Sequence, residues 1–216
     1  MIITIANESG GASKSMLADN LAALRSAAGR KVLLLDNDPQ HASVDWSSER
    51  AANCGGMYPQ VAARSITGKG LQPELENLGY RYNDIVIDTE SRDSLGSRSA
   101  LIAAHVAIIP VDLERLEQLN EEKLLARIET ARLFNPRLRI LAVIISSEQH
   151  PAAEKIAVAR DFVARIPSAR LFDTLIHSGS ALRQAFQGGL SVCEYQPADP
   201  DAISEMKELC SEVFDS

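Results

Sequence analysis

The sequence predicts an α/β fold of three layers, a mostly parallel, twisted sheet with helices on both faces. Three observations lead there. Short runs rich in Val, Ile and Leu alternate along the chain with longer segments whose apolar residues recur at helical spacing. Several of the short runs are continuously apolar, as strands covered on both faces must be. The segments between them are long enough for crossovers joining parallel strands.

Taken in order, the apolar run Met1–Ala6 is the first strand and stops at a Gly-Gly turn. Lys14–Ala28 carries Leu17, Leu21 and Leu24 at helical spacing and ends before Gly29. Lys31–Leu35 is the second strand, Ala42–Ala52 a helix, and Gly55–Thr67 contains a short strand. A short helix over Leu71–Leu78 precedes the strand Asp84–Ile87, which leads into Asp88. His105–Val111 is the next strand. Leu113–Phe134 reads as one long helix stopping before Pro136, with Glu114, Glu117, Glu121 and Glu122 early and Arg127 and Arg132 late, an order that complements the helix dipole. Arg139–Ile145 is a strand, Ala152–Ile166 a helix, Arg170–Leu175 a final short strand and Ala202–Phe214 a terminal helix.

Composition bounds the function classes. With 216 residues, 45% of them hydrophobic, the chain can bury one good core, so one domain over residues 1–216 is expected. Aromatics are only 5%, which leaves Ala, Leu, Ile and Val to fill that core. A net charge of −7 does not advertise a nucleic-acid surface, although a local patch can differ from the total. Cys54, Cys193 and Cys210 are scattered singly, without metal-ligand spacing or a disulfide framework, which fits a reducing cytoplasm. The longest apolar runs fall far below the roughly 18 residues that span a bilayer, so no membrane partner is expected.

In a parallel sheet of this kind, ligands bind beyond the carboxyl ends of the strands. After the first strand comes Asn7-Glu8-Ser9-Gly10-Gly11-Ala12-Ser13-Lys14-Ser15. A phosphate loop reads Gly, four residues, Gly-Lys-Ser/Thr, between a strand and a helix. Lys14-Ser15 stands correctly at the helix start, where free backbone N–H groups face an anion and the lysine reaches the β- and γ-phosphates. Glu8, however, takes the first glycine position and Ser13 the second. The second strand ends in Asp36-Asn37-Asp38-Pro39-Gln40 and the fourth in Asp88-Thr89. For Asp36 and Asp38 two readings stand side by side, metal-and-water chemistry or capping of the turn before Pro39.

Together these pieces resemble the ParA/MinD group of deviant-Walker P-loop ATPases, especially its short partition members. That group's loop reads Lys-Gly-Gly-x-Gly-Lys-Thr/Ser and its second motif Asp-x-Asp-Pro-Gln. Ser180–Glu194, with Ala181, Phe186, Gly189 and Ser191-Val192, is similar to a later stretch of the same group. The resemblance implies a P-loop NTPase-like fold, ATP or ADP with Mg²⁺ as cofactors, and a nucleotide cradle of Gly10, Gly11, Ala12, Ser13, Lys14, Ser15 and Met16. It implies Lys14 and Asp36 as catalytic residues, with Asp36 positioning the attacking water. Ser15, Asp38 and Asp88 would form the metal side, and Ser146 and Ser147, ending the sixth strand, would contact adenine. The group's signature lysine falls at Ser9, preceded by Glu8, and a Cβ at Ser13 stands where a glycine allows close approach. These departures imply weak hydrolysis. Arg92, Arg98, Arg115 and Lys123 are candidate substitute cations, each otherwise a solvated surface charge.

Two functions follow from the resemblance. One is an ATP-dependent, dimerising ATPase that partitions or positions plasmid DNA or another large cargo with a ParB-like adaptor. The other is a catalytically impaired relative that keeps the fold and interfaces as a binding module. Arg137 and Arg139 with Lys155, Arg160, Arg165 and Arg170 form a candidate patch for non-specific DNA.

Overall fold

The computed structural model describes residues 1–7, 10–66 and 68–215. Its strands are β1 Ile2–Ile5, β2 Val32–Asn37, β3 Ala62–Ser65, β4 Asp84–Thr89, β5 Val106–Asp112, β6 Arg139–Ser146, β7 Ala169–Leu171 and β8 Ile176–His177. They form one sheet in the order β3-β2-β4-β1-β5-β6-β7, with β8 also pairing β6. Every pairing is parallel. The continuous apolar runs explain this, since β2 and β4 are buried along their whole length.

Helices cover both faces. On one side α1 (Ser13–Ala27), α2 (Ala42–Asn53), α7 (Ser180–Gln187) and α8 (Pro200–Phe214) pack through Leu17, Leu21, Trp46, Leu182, Met206 and Leu209. On the other, α3 (Gly68–Leu78), α4 (Leu95–Ala103), α5 (Glu121–Phe134) and α6 (Ala153–Arg165) contribute Leu71, Leu101, Leu124, Ile128 and Phe162. Few aromatics are needed because branched aliphatic side chains fill both layers. Among the described residues, no helix is long and apolar enough to cross a membrane.

Register fixes the site. Asp36 on β2 lies directly opposite Asp88 on β4, and Ile5 on β1 is also paired with Asp88. Three strand ends therefore open beside the start of α1.

Three expectations need correction. The segment Leu113–Phe134 is not one helix. A turn and a short 3-10 stretch, Leu116–Gln118, precede α5. Asn120 starts α5, its side chain accepting from Lys123 N at 3.1 Å, ahead of Glu121 and Glu122 in the first turn. Helix α4 is an addition to the expected elements. Ser94 and Ser97 form its capping box, in which Ser97 N donates to Ser94 Oγ and Ser94 N to Ser97 Oγ. The strand expected over Arg170–Leu175 is two short strands, because the chain leaves β7 after Leu171 and rejoins β6 only at Ile176.

Candidate functional site

The first turn of α1 has no side-chain cap, since Ala12 precedes it. Among the described residues no side chain caps its leading N–H groups, the arrangement in which a helix start can take an anion. These N–H groups face a cavity of about 500 Å³. Gly10, Gly11, Ala12 and Ser15 form one wall, Asp38, Pro39, Gln40 and Ala42 a second, and Glu90, Ser91 and Arg92 a third, with Phe186 closing it. Gly11 has φ of +134°, which a residue with a Cβ rarely adopts. Glu8 and Ser9 lie outside the described residues, so the two departures expected there have no structural description.

Lys14 is buried and donates to Ser91 Oγ. Burial lowers its pKa; Asp88 and Asp38 oppose that shift, while the Arg127 and Arg115 charges add to it. Ser15 Oγ donates to Asp88 Oδ2 at 2.6 Å, and Ser43 Oγ approaches the same oxygen at 3.1 Å. Ser43 Oγ also reaches Asp19 Oδ1 at 2.7 Å. Asp19, Asp36 and Asp88 are each fully buried. Burial pushes the Asp88 carboxyl up to about 7, with Asp36 adding to the rise and the Ser15 hydrogen bond opposing it. Asp19 is raised well above the ordinary range, by burial first and by Asp88 and Asp36 after it.

The two carboxylates of the second motif divide their work. Asp36 accepts from Asp38 N, Ser43 N and Val44 N, each at 3.0 Å, so both its oxygens hold the turn and the start of α2. Burial raises its pKa against those hydrogen bonds. Asp36 is absent from the cavity wall, whereas the half-buried Asp38 is part of it. Met16 packs into the core, and Ser13 opens α1.

The site fits a divalent cation of the magnesium type. Asp88 Oδ1 and Asp19 Oδ2 are buried without a hydrogen-bond partner among the described residues. Asp88 is further raised by Asp36, and Asp19 by both, so the buried carboxyls repel one another where a cation would relieve them. Among the described residues, no cluster of three or more His, Cys, Asp or Glu side chains could hold a metal alone. A cation here would take Ser15, the Asp88 side, water and ligand oxygens, the mixed shell Mg²⁺ prefers.

The other predicted residues are dispersed. Ser146 is buried, its Oγ donating to Glu114 Oε1 at 2.9 Å, and Ser147 N donates to the same oxygen at 3.1 Å. Neither lines the cavity. Arg92 lines it but is ion-paired with Glu90. Arg98 pairs with Asp93, and Lys123 belongs to the first turn of α5. The candidate basic patch is divided. Arg137, Arg139 and Arg170 line one cleft with Arg132, Arg170 pairing Glu212 at 2.7 Å, while Lys155 pairs Glu148 and Arg165 pairs Glu121.

Two bracing residues escaped the sequence reading. Asp19 is one. Arg127 is the other: it is buried, and its guanidinium donates to Ser97 Oγ at 3.0 Å, Arg92 O at 3.2 Å and Asn7 O at 3.4 Å. It thus ties the loop after β1 to the loop after β4. The later stretch is braced too, since Val192 N donates to Asn20 Oδ1 of α1 at 2.8 Å. Arg50, fully buried, forms a bidentate pair with Glu194 at 2.7 and 2.8 Å.

Comparison with known proteins bears on the family and the fold. The sequence profile described as "CobQ/CobB/MinD/ParA nucleotide binding domain" matches residues 3–192. The chromosome-partitioning ATPase Soj of Thermus thermophilus is 26% identical, covering 98% of this chain and 94% of that protein. Maintenance of carboxysome distribution protein A of Halothiobacillus neapolitanus is also 26% identical, covering 99% and 96%. A putative plasmid partition protein from Borrelia burgdorferi, solved bound to AMPPNP, superposes with a TM-score of 0.72 at 20% identity, covering 99% of this chain and 97% of that one. The last likeness is one of fold.

Proposed function

We propose, from the premise that this chain belongs to the CobQ/CobB/MinD/ParA nucleotide-binding family, that it is a Mg²⁺-dependent ATP-binding protein whose nucleotide state controls dimerisation for partition or positioning of a large cargo. The observation that carries this reading is the convergence of buried Lys14, Ser15 and Asp88 at the uncapped start of α1, on the edge of a cavity of about 500 Å³.

In this reading the N–H groups of Gly11 to Ser15 and the Lys14 ammonium take the phosphates. Ser15 and Asp88 hold the Mg²⁺ side, where the ion neutralises phosphate charge. Asp38 is the carboxylate facing the cavity, so we assign it the positioning of water and give Asp36 the support of the turn that presents it. Ser146 and Ser147 remain assigned to the base side, with Glu114 ordering them. The cargo and a ParB-like adaptor rest on likeness to partition and carboxysome-distribution proteins. A binding module without nucleotide chemistry is less favoured, because it leaves the buried charges around Lys14 unexplained.

Size-exclusion chromatography with light scattering tests the proposal. Wild type with Mg²⁺ and a non-hydrolysable ATP analogue is expected to run as a dimer, and with ADP as a monomer. A single mass under both conditions refutes nucleotide control of assembly.

A further inference from the structure

Arg115 lies in the turn between β5 and the 3-10 stretch, and its side chain reaches back over the phosphate loop. Its Nη1 donates to Gly10 O at 2.7 Å. A Cβ on Gly11 would stand 3.1 Å from Nη1 and 3.2 Å from Cζ. Gly11 therefore has two reasons to be glycine, its backbone angle and the close passage of this guanidinium.

The turn that carries Arg115 is pinned. Leu113 N donates to Ile145 O at 2.9 Å, and Arg115 N to Asp112 O at 3.0 Å. The Glu114 carboxylate accepts from Ser146 and Ser147. The guanidinium is thus delivered by a fixed segment. Among the described residues it makes no ion pair within 4 Å, unlike Arg92, Arg98 and Arg165, although its charge also acts on Asp112. Its charge is felt at Lys14, whose proton affinity it depresses. Arg115 is not itself part of the cavity wall, but Gly10 and Gly11, against which it lies, are, so an anion seated on that loop comes close to this guanidinium. Arginine offers five donors in a planar fork suited to phosphate oxygens, and only one is spent on Gly10.

We propose that Arg115 is a phosphate-loop cation that contacts the terminal phosphates of a nucleoside triphosphate bound to its own chain. This rests on the nucleotide-binding reading above and adds a residue and a mode of recognition to it.

The test is titration calorimetry of Mg-ATP and Mg-ADP into wild type, Arg115→Gln, Arg115→Lys and Arg98→Gln. Arg115→Gln removes a charge-assisted hydrogen bond to phosphate and is expected to weaken ATP about tenfold to a hundredfold. ADP is expected to weaken less, Arg115→Lys to recover part of the affinity, and Arg98→Gln, away from the cavity wall, to match wild type. Arg115 is exposed, so the melting temperature without nucleotide should not move. Equal weakening of ATP and ADP would reduce Arg115 to a latch for the loop and overturn the proposal, as would unchanged ATP affinity in Arg115→Gln. Recovery of Arg115→Gln binding by excess Lys14→Ala protein would show action on a second copy and overturn the assignment to its own chain. Absence of any nucleotide binding by wild type would instead overturn the reading on which the proposal rests.

Discussion

Replacing Asp88 by Asn should stabilise the nucleotide-free protein while removing its metal side. The Asp88 carboxyl is fully buried, one oxygen has no hydrogen-bond partner among the described residues, and its pKa moves from an ordinary 3.8 to about 7. Between those values the folded protein keeps a proton that the unfolded chain has released. Folding stability contributed by this group therefore falls as pH rises through the window. The full interval corresponds to about 4 kcal/mol at pH above 7, an upper bound because neighbouring groups relax. An Asn side chain carries no charge, and its oxygen can still accept from Ser15 and Ser43. Urea denaturation in EDTA measures the difference. Asp88→Asn should be more stable than wild type by about 2–4 kcal/mol near pH 8, with the gain shrinking towards zero near pH 4. A gain independent of pH, or a loss near pH 8, would refute the reasoning that an uncompensated buried carboxylate burdens the empty site.

Two further predictions concern the supports behind the cavity. Gly189 has φ of +71°, and an added Cβ would lie 2.6 Å from Arg50 Cα, inside the backbone of α2. Gly189→Ala should cost about 3 kcal/mol or more by chemical denaturation, and a loss under about 0.5 kcal/mol contradicts it. Arg50→Ala leaves Glu194 without its bidentate partner and frees the Pro59 and Gly189 carbonyls. The expected loss is about 3–5 kcal/mol in the same assay, and a change under about 1 kcal/mol would show the pair to be replaceable.

Much of this architecture was legible because its signals are local. The apolar runs at Lys31–Leu35 and Asp84–Ile87 each lead directly into a carboxylate, and parallel pairing then brings Asp36 opposite Asp88. Lys14-Ser15 opens a helix just after a strand, which fixes it at the same edge. Other features were hidden because they depend on partners distant in sequence. Asp19 reads as an ordinary polar residue within α1, and only Ser43 and Asp88, from other elements, make it part of the buried cluster. Arg127 reads as a charge at a helix end, yet its partners include Asn7, Arg92 and Ser97. The pattern Asp-x-Asp-Pro-Gln does not say which carboxylate faces outward. Asp36 is drawn to the N–H groups of Ser43 and Val44, and Asp38 is left on the cavity wall. Helix α4 is hard to see in the sequence because its signal is a serine pair, Ser94 and Ser97, in a segment of weak periodicity.

Phosphate binding at this site depends above all on Lys14 at the start of α1. Titrating Mg-ATP into wild type and Lys14→Ala tests it most directly. The account predicts saturable, Mg²⁺-dependent binding by wild type and affinity weaker by about tenfold or more in the variant, since a charged phosphate partner is removed. Equal affinity in the two proteins, or no binding by wild type with Mg²⁺ present, would contradict it.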